Sequence, residues 1–301
     1  MVTKSQKYQG TGVALVTPFK QDCSLDLKAL EDLVAFNIDQ GVDYLVVLGT
    51  TGESVTLTKE EKKQVVDTVI KINNSRVPLV LGIGGNSTNA VVDQIKETDL
   101  SEFSAILSVS PYYNKPSQKG IFKHYSEIAR STPKDIIMYN VPSRTASNIL
   151  PETVLSLAKE FENMVAVKEA SGDLIQAIEI IKNKPKNFSV ISGDDMLALP
   201  MTLAGGAGVI SVLGQGLPAE FTKMIRYALK SDVIQANQIY FELFDLINQV
   251  FEQGNPAGIK TVLKELKGYQ KTVRLPLVET DQILESKIID SLSILKNKIT
   301  L

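Results

Sequence analysis

Eight short runs of aliphatic and β-branched residues recur along the chain, most of them followed by a longer stretch with helical spacing. No other feature limits the fold as tightly. The runs are Gly12–Thr17, Tyr44–Leu48, Leu79–Ile83, Ala105–Ser110, Ile136–Asn140, Val165–Lys168, Ser189–Ser192 and Gly208–Val212. They are short and apolar nearly throughout, as strands buried on both faces are. Between them lie amphipathic stretches such as Asp26–Gln40, Thr58–Ile72 and Pro151–Phe161. In the first of these, Leu27, Leu30, Leu33, Val34 and Ile38 fall on one helical face. Strands joined by helical crossovers pair in parallel. Eight such units predict an α/β chain closed into a (β/α)8 TIM barrel. The open doubly wound sheet is the rival. No Gly-x-Gly-x-x-Gly opens a helix after the first run, and Gly82-Ile-Gly-Gly85 lacks that spacing.

The barrel is predicted to occupy 1–230. A C-terminal helical extension, 231–301, follows and packs on it, with helices over Val233–Glu252, Ala257–Leu266 and Thr280–Lys296. Gly254-Asn-Pro256 breaks the first from the second. A chain of 301 residues with 44% hydrophobic and 22% charged residues builds its core without staples. The net charge of −2 gives no nucleic-acid footprint. Cys23 is the single cysteine, so no internal disulfide forms, in keeping with a cytoplasmic protein. No stretch reaches the length of a membrane span. His124 is the single histidine and lies in a helical pattern, where a surface or packing role is expected; no metal site is expected.

One residue stands out against this frame. Lys168 ends the run Val165-Ala-Val-Lys168. Alternation places Ala166, Lys168 and Ala170 on one face and Val165 and Val167 on the other. An ammonium is costly to bury without a partner, so such a lysine tends toward a nucleophilic amine, suited to imine formation with a ketone. In a (β/α)8 barrel the site lies at the carboxyl ends of the strands. The polar residues gather there, in Gly49-Thr-Thr-Gly-Glu-Ser54, Ser110-Pro-Tyr-Tyr-Asn-Lys-Pro116, Tyr139-Asn-Val-Pro-Ser-Arg-Thr145 and Ser192-Gly-Asp-Asp195. Thr50 and Thr51, flanked by glycines, suit a small carboxylate. Asp194 and Asp195 read as caps of a following helix. Hydroxyls, tyrosines and one buried lysine together point to imine chemistry with phenolic proton transfer.

These segments, with Val167-Lys-Glu-Ala170 and Gly208-Val-Ile-Ser211, occur in an order and spacing that resembles the dihydrodipicolinate synthase / N-acetylneuraminate lyase family over nearly the whole chain. The resemblance implies that Lys168 forms an imine with pyruvate and that no metal or organic cofactor is needed. It implies that Thr50 and Thr51 hold the pyruvate carboxylate, and that Tyr139, Thr50 and Tyr113 form a proton relay, with Tyr113 supplied by a neighbouring subunit. Gly193 and Ile210 would line the pyruvate pocket. Arg144 would bind the carboxylate of a second substrate, L-aspartate 4-semialdehyde. The implied product is 4-hydroxy-tetrahydrodipicolinate, on the route to lysine and diaminopimelate. The implied assembly is a homotetramer, a dimer of dimers, with neither nucleic acid nor membrane as partner.

Two other activities stay open: cleavage of N-acetylneuraminate or of a 2-keto-3-deoxy sugar acid, and keto-acid binding without turnover by a regulator. Arg144 favours the synthase, since a guanidinium suits a carboxylate better than a polyhydroxylated chain. Two departures from the family pattern stand in the sequence. Ala146 replaces a usual glycine and should alter the loop slightly, and Gly214-Gln-Gly216 replaces a small residue followed by asparagine. Ser54, Asn86 and Tyr112 match residues of a lysine-binding allosteric cleft. There Ala90 replaces an acid, and Lys59 and Lys62 replace histidines. Loss of an anion and gain of cations predict weak or absent inhibition by lysine.

Overall fold

The computed structural model describes residues 7–298, and within them the sheet is a closed, all-parallel barrel of eight strands. These are β1 (Gly10–Ala14), β2 (Tyr44–Val47), β3 (Leu79–Gly82), β4 (Ala105–Val109), β5 (Asp135–Asn140), β6 (Met164–Glu169), β7 (Ser189–Ser192) and β8 (Gly208–Ser211). The helices are α1 (Leu27–Asp39), α2 (Lys59–Asn73), α3 (Thr88–Glu97), α4 (Gln118–Ser131), the single turn α5 (Pro142–Thr145), α6 (Pro151–Glu160), α7 (Leu174–Asn183), α8 (Ala198–Leu203) and α9 (Pro218–Leu229). Then come α10 (Val233–Glu252), α11 (Ala257–Lys267) and α12 (Gln282–Lys298). The expected fold is the one observed.

Helix limits follow from their caps. Asp26 accepts the Ala29 N–H at the start of α1. Thr58 and Glu61 form a reciprocal capping box on α2, and Asp232 accepts the Gln235 N–H of α10. In α1, Leu30, Leu33 and Val34 are buried, with Leu27 and Ile38 packed at the margin of the same core.

Two apolar layers result. Outward strand residues such as Val13, Leu45, Leu81, Met138 and Val167 pack with the helices. Inward residues such as Val46, Val80, Leu107, Ile137 and Ile191 fill the barrel. The tyrosines Tyr8 and Tyr44 meet edge to face at 6.0 Å within the interior, and Tyr8 Oη donates to Asp135 at 3.0 Å.

The observed β1 starts and ends earlier than the Gly12–Thr17 expected. Gly10 and Thr11 pair with Gly208 and Val209, so strand pairing begins two residues before the expected Gly12. Beyond Ala14, Gln215 takes over. Its side chain, wholly buried, donates to the Ala14 and Val212 carbonyls (2.8 and 3.1 Å) and accepts the Val16 N–H (2.8 Å). The departure noted at Gln215 thus lies at the β1–β8 seam. A second difference concerns β6, where the register with β5 shifts between Ile136 and Ile137. Val165 therefore joins Ala166 in the barrel interior, instead of facing away from it.

His124 is a packing residue. It is buried in α4, its Nδ1 lies 2.9 Å from Thr88 Oγ1, and burial pushes its imidazole down to about 4, so it is neutral at pH 7.

Replacing Gln215 with alanine removes three hydrogen bonds from a buried seam. Equilibrium urea denaturation of Gln215→Ala should show a loss of about 2–4 kcal/mol. A change under about 0.5 kcal/mol would mean that water or rearrangement replaces the side chain.

Candidate active site

Lys168 sits one residue from the end of β6 and is 5% exposed. It is the register partner of Tyr139 on β5, and its Nζ lies 4.4 Å from the centroid of the Tyr139 ring. The contact sets the nitrogen against the face of the phenol ring. The ion pairs among the described residues do not include Lys168. Room beside the lysine comes from Gly193. A Cβ there would stand 2.8 Å from Lys168 Cε and 2.7 Å from Ala170 Cβ, closer than side chains tolerate.

A cavity of about 300 Å³ opens over this pair, lined by Lys168, Tyr139, Thr51, Gly193, Arg144 and Asn255, among others. A second of about 400 Å³ shares Tyr139 and Arg144 and adds Thr50, Ser54, Tyr112 and Lys62. Lys168, Tyr139, both threonines, Arg144 and Gly193 are thus brought together around two adjoining spaces. Ile210 is elsewhere, in the apolar interior with Tyr139. Tyr113 lines neither cavity. It is 89% exposed, with a left-handed backbone (φ 71°). Of the cleft residues, Ser54 and Tyr112 line the larger cavity, as does Lys62. Asn86, Ala90 and Lys59 do not, and the Asn86 carbonyl accepts from Asn114 Nδ2 at 3.0 Å.

The loop after β2 is held in an unusual shape. Leu48 and Glu53 both adopt left-handed backbone (φ 57° and 50°) on either side of the Thr50–Gly52 turn. Four hydrogen bonds hold it there. Thr17 Oγ1 donates to the Gly52 carbonyl at 2.7 Å. Asn255, from the α10–α11 connection, donates to Thr51 Oγ1 at 2.9 Å. Glu53 is wholly enclosed and receives the Lys260 ammonium of α11 at 2.5 Å and the Arg274 N–H at 2.9 Å. Burial pushes the Lys260 ammonium down to about 8, against the opposing pull of Glu53.

Arg144 projects from α5, whose last turn ends at Ala146 with φ 55° and ψ 22°. Alanine adopts the left-handed conformation that the family's glycine would supply, so the loop geometry expected to change is accommodated at a cost in strain. Asp195 caps no helix. Buried, and pushed up to about 6 by that burial, it accepts the Val212 and Leu213 N–H groups at 3.1 and 2.7 Å and so joins the ends of β7 and β8. Asp194 accepts the Met196 N–H at 2.8 Å. Among the described residues no cluster of three or more His, Cys, Asp or Glu could hold a metal ion. Sequence reasoning missed Asn255, Lys260 and Glu53. Their partners lie more than two hundred positions away, and the only local signal is Lys260, a charged residue in the otherwise uncharged run 257–263 of α11.

A closed parallel barrel holds an enclosed amine beside a phenol at the carboxyl ends of its strands, the architecture of a (β/α)8-barrel site. Residues 7–294 match the model of the dihydrodipicolinate synthetase family. A protein of Flavobacterium psychrophilum named 4-hydroxy-tetrahydrodipicolinate synthase is 56% identical over 283 residues, 94% of this chain and 97% of that one. The crystal structure of dihydrodipicolinate synthase from Aquifex aeolicus superposes with a TM-score of 0.91 at 40% identity, covering 95% of this chain and 98% of that one. The corresponding Thermotoga maritima structure gives 0.93 at 33% identity, covering 96% and 99%. The chain belongs to the dihydrodipicolinate synthetase family.

Replacing Ala146 with glycine should relieve the left-handed strain. Thermal or urea unfolding of Ala146→Gly is expected to show a net gain of about 0.5–1 kcal/mol, after the freer unfolded chain is counted. A net loss would mean that the Ala146 methyl packs more than its exposed position indicates.

Proposed function

We propose that this chain condenses pyruvate with L-aspartate 4-semialdehyde to give 4-hydroxy-tetrahydrodipicolinate. The observation that carries the reading is the enclosed Lys168 amine over the Tyr139 ring, in a space that Arg144 also lines. The Lys168 nitrogen forms a bond to C2 of pyruvate, Tyr139 supplies a proton to the leaving oxygen, and water departs to leave a protonated imine. The imine draws electrons from the methyl group, which loses a proton to give an enamine. The enamine carbon attacks the aldehyde carbon of the second substrate, and the aldehyde oxygen takes up a proton. The amino group of the condensed product then attacks C2 and displaces Lys168, which regenerates the amine and closes the ring. One water is released overall.

Thr50 and Thr51 hold the pyruvate carboxylate through their hydroxyls and backbone N–H groups. Arg144, whose guanidinium joins no ion pair among the described residues, holds the carboxylate of the semialdehyde. No metal or organic cofactor takes part. Tyr113, exposed as it is, completes the proton relay of a partner subunit, within a homotetramer built as a dimer of dimers. The protein is cytoplasmic and serves lysine and diaminopimelate synthesis. No helix among the described residues is long and apolar enough to cross a membrane. The names of the relatives favour the synthase over a sugar-acid lyase or a silent binding protein.

Borohydride reduction with pyruvate, read by mass spectrometry, should place one pyruvate-sized adduct on Lys168 and none in Lys168→Ala. The parallel assay with L-aspartate 4-semialdehyde should yield the cyclic product, and Tyr139→Phe should slow it about 100-fold. An adduct without cyclic product would indicate a different aldehyde partner, and the absence of any adduct would remove the imine mechanism.

Lysine should inhibit weakly or not at all, because Lys62 lines the cleft and Ala90 offers no anion. Steady-state rates across a lysine titration check this, and a micromolar inhibition constant would reverse it.

A further inference from the structure

The residue after each member of the reactive pair belongs to a buried polar clamp. Asn140 follows Tyr139, Glu169 follows Lys168, and the two are register partners. Glu169 is 2% exposed and turns away from the barrel interior into the layer between sheet and helices. It is gripped only by neutral donors. Asn140 Nδ2 reaches both its oxygens at 3.1 and 3.0 Å, Gln176 Nε2 of α7 donates at 3.1 Å, and the Ser171 N–H donates at 2.8 Å. No cation pairs with it among the described residues. The clamp also reaches the segment that follows Arg144. Asn140 Nδ2 donates to Asn148 Oδ1 at 2.8 Å, Asn140 Oδ1 accepts the Ile149 N–H at 3.0 Å, and Asn148 and Gln176 exchange bonds at 2.7 and 3.2 Å.

A buried carboxylate without a counter-ion is costly, and an apolar side chain of like volume often serves stability as well or better. What an apolar residue cannot do is tie two strand ends and a loop together by directional bonds.

We propose that Glu169 is a positioning residue for imine chemistry. It fixes the ends of β5 and β6 against each other, so that the Lys168 nitrogen and the Tyr139 phenol keep the separation that proton transfer requires. Displacement of a reacting group by a fraction of an ångström to one ångström is enough to cost much of the rate. Thr50 and Thr51 stand on a different strand end and are held by other contacts, so binding of the pyruvate carboxylate does not depend on Glu169. The expected signature is a loss in kcat with little change in KM for pyruvate.

This inference rests on the imine mechanism proposed above, and the test separates the two. Wild type, Glu169→Gln and the milder Gln176→Leu are compared by circular dichroism, by steady-state kinetics and by quenched-flow borohydride trapping of the pyruvate adduct. In Glu169→Gln the trapping rate and kcat should fall about tenfold or more, while KM for pyruvate stays within about threefold; Gln176→Leu should fall about threefold to tenfold. Gln176→Leu keeps the carboxylate and decides the matter if Glu169→Gln does not fold. Wild-type trapping rates in either folded variant, or a loss confined to KM for pyruvate, would overturn the inference alone. Absence of a wild-type adduct would overturn the functional reading and this inference with it.

Discussion

The phase of β6 against β5 is the constraint on which the site depends. Side chains alternate along a strand, so a slip of one residue sends every later side chain to the opposite face. Met164 packs outward among the helices and Val165 points inward. Strict alternation from there would turn Ala166 outward and send Lys168 out with it. The irregularity opposite Ile136 and Ile137 absorbs one residue, so Val165 and Ala166 both face in, Val167 faces out, and Lys168 points inward beside Tyr139. One additional residue in a parallel ladder thus decides whether the amine meets a phenol or the back of a helix.

Charge is handled in two ways around this point. In the surrounding shell, Glu169, Glu53 and Asp195 are each enclosed and each supplied with hydrogen-bond donors. Such groups tie backbone segments to one another at a desolvation cost met by those donors. At the mouth the situation is reversed. Arg144 and Lys62 line open space without carboxylate partners among the described residues. A mouth of that kind favours entry of anions, and both proposed substrates carry a carboxylate.

The barrel was legible because its signal is periodic and repeated. Eight apolar runs and the caps of α1 and α2 lie within the reach of local rules, and the observed limits differ from the expected ones by only a few residues. The strand β1 begins two residues before the expected Gly12, because Gly10 and Thr11 also pair with β8; an added Cβ at Gly10 or Gly12 would run into the Asp43 or Tyr44 side chain. Lys168, Thr50 and Thr51 could be picked out from strand-end position and residue type, whereas Tyr139, Arg144 and Gly193 were singled out by the family resemblance. Tyr113 and Ile210 came from the same resemblance, yet the single chain leaves the first facing solvent and the second in the apolar interior. The supports were not legible. Gln215 at the seam, Asn255 against Thr51 and Lys260 against Glu53 are long-range pairings of ordinary residues, and no window along the chain contains both partners.

The anchoring of the β2 loop has a consequence for how the molecule is assembled. Thr51 and Glu53 leave the ribosome early, but Asn255, Lys260 and the Arg274 amide that restrain them are made some two hundred residues later. Synthesis runs in one direction, so the β2 loop exists for most of that interval without its latch. Although the barrel strands are all made by Ser211, the site stays unfinished until α11 docks and Arg274 has been added. A nascent chain stalled after β8 would hold Lys168 but lack Ile247, Asn248, Phe251 and Asn255, which wall the cavity around it.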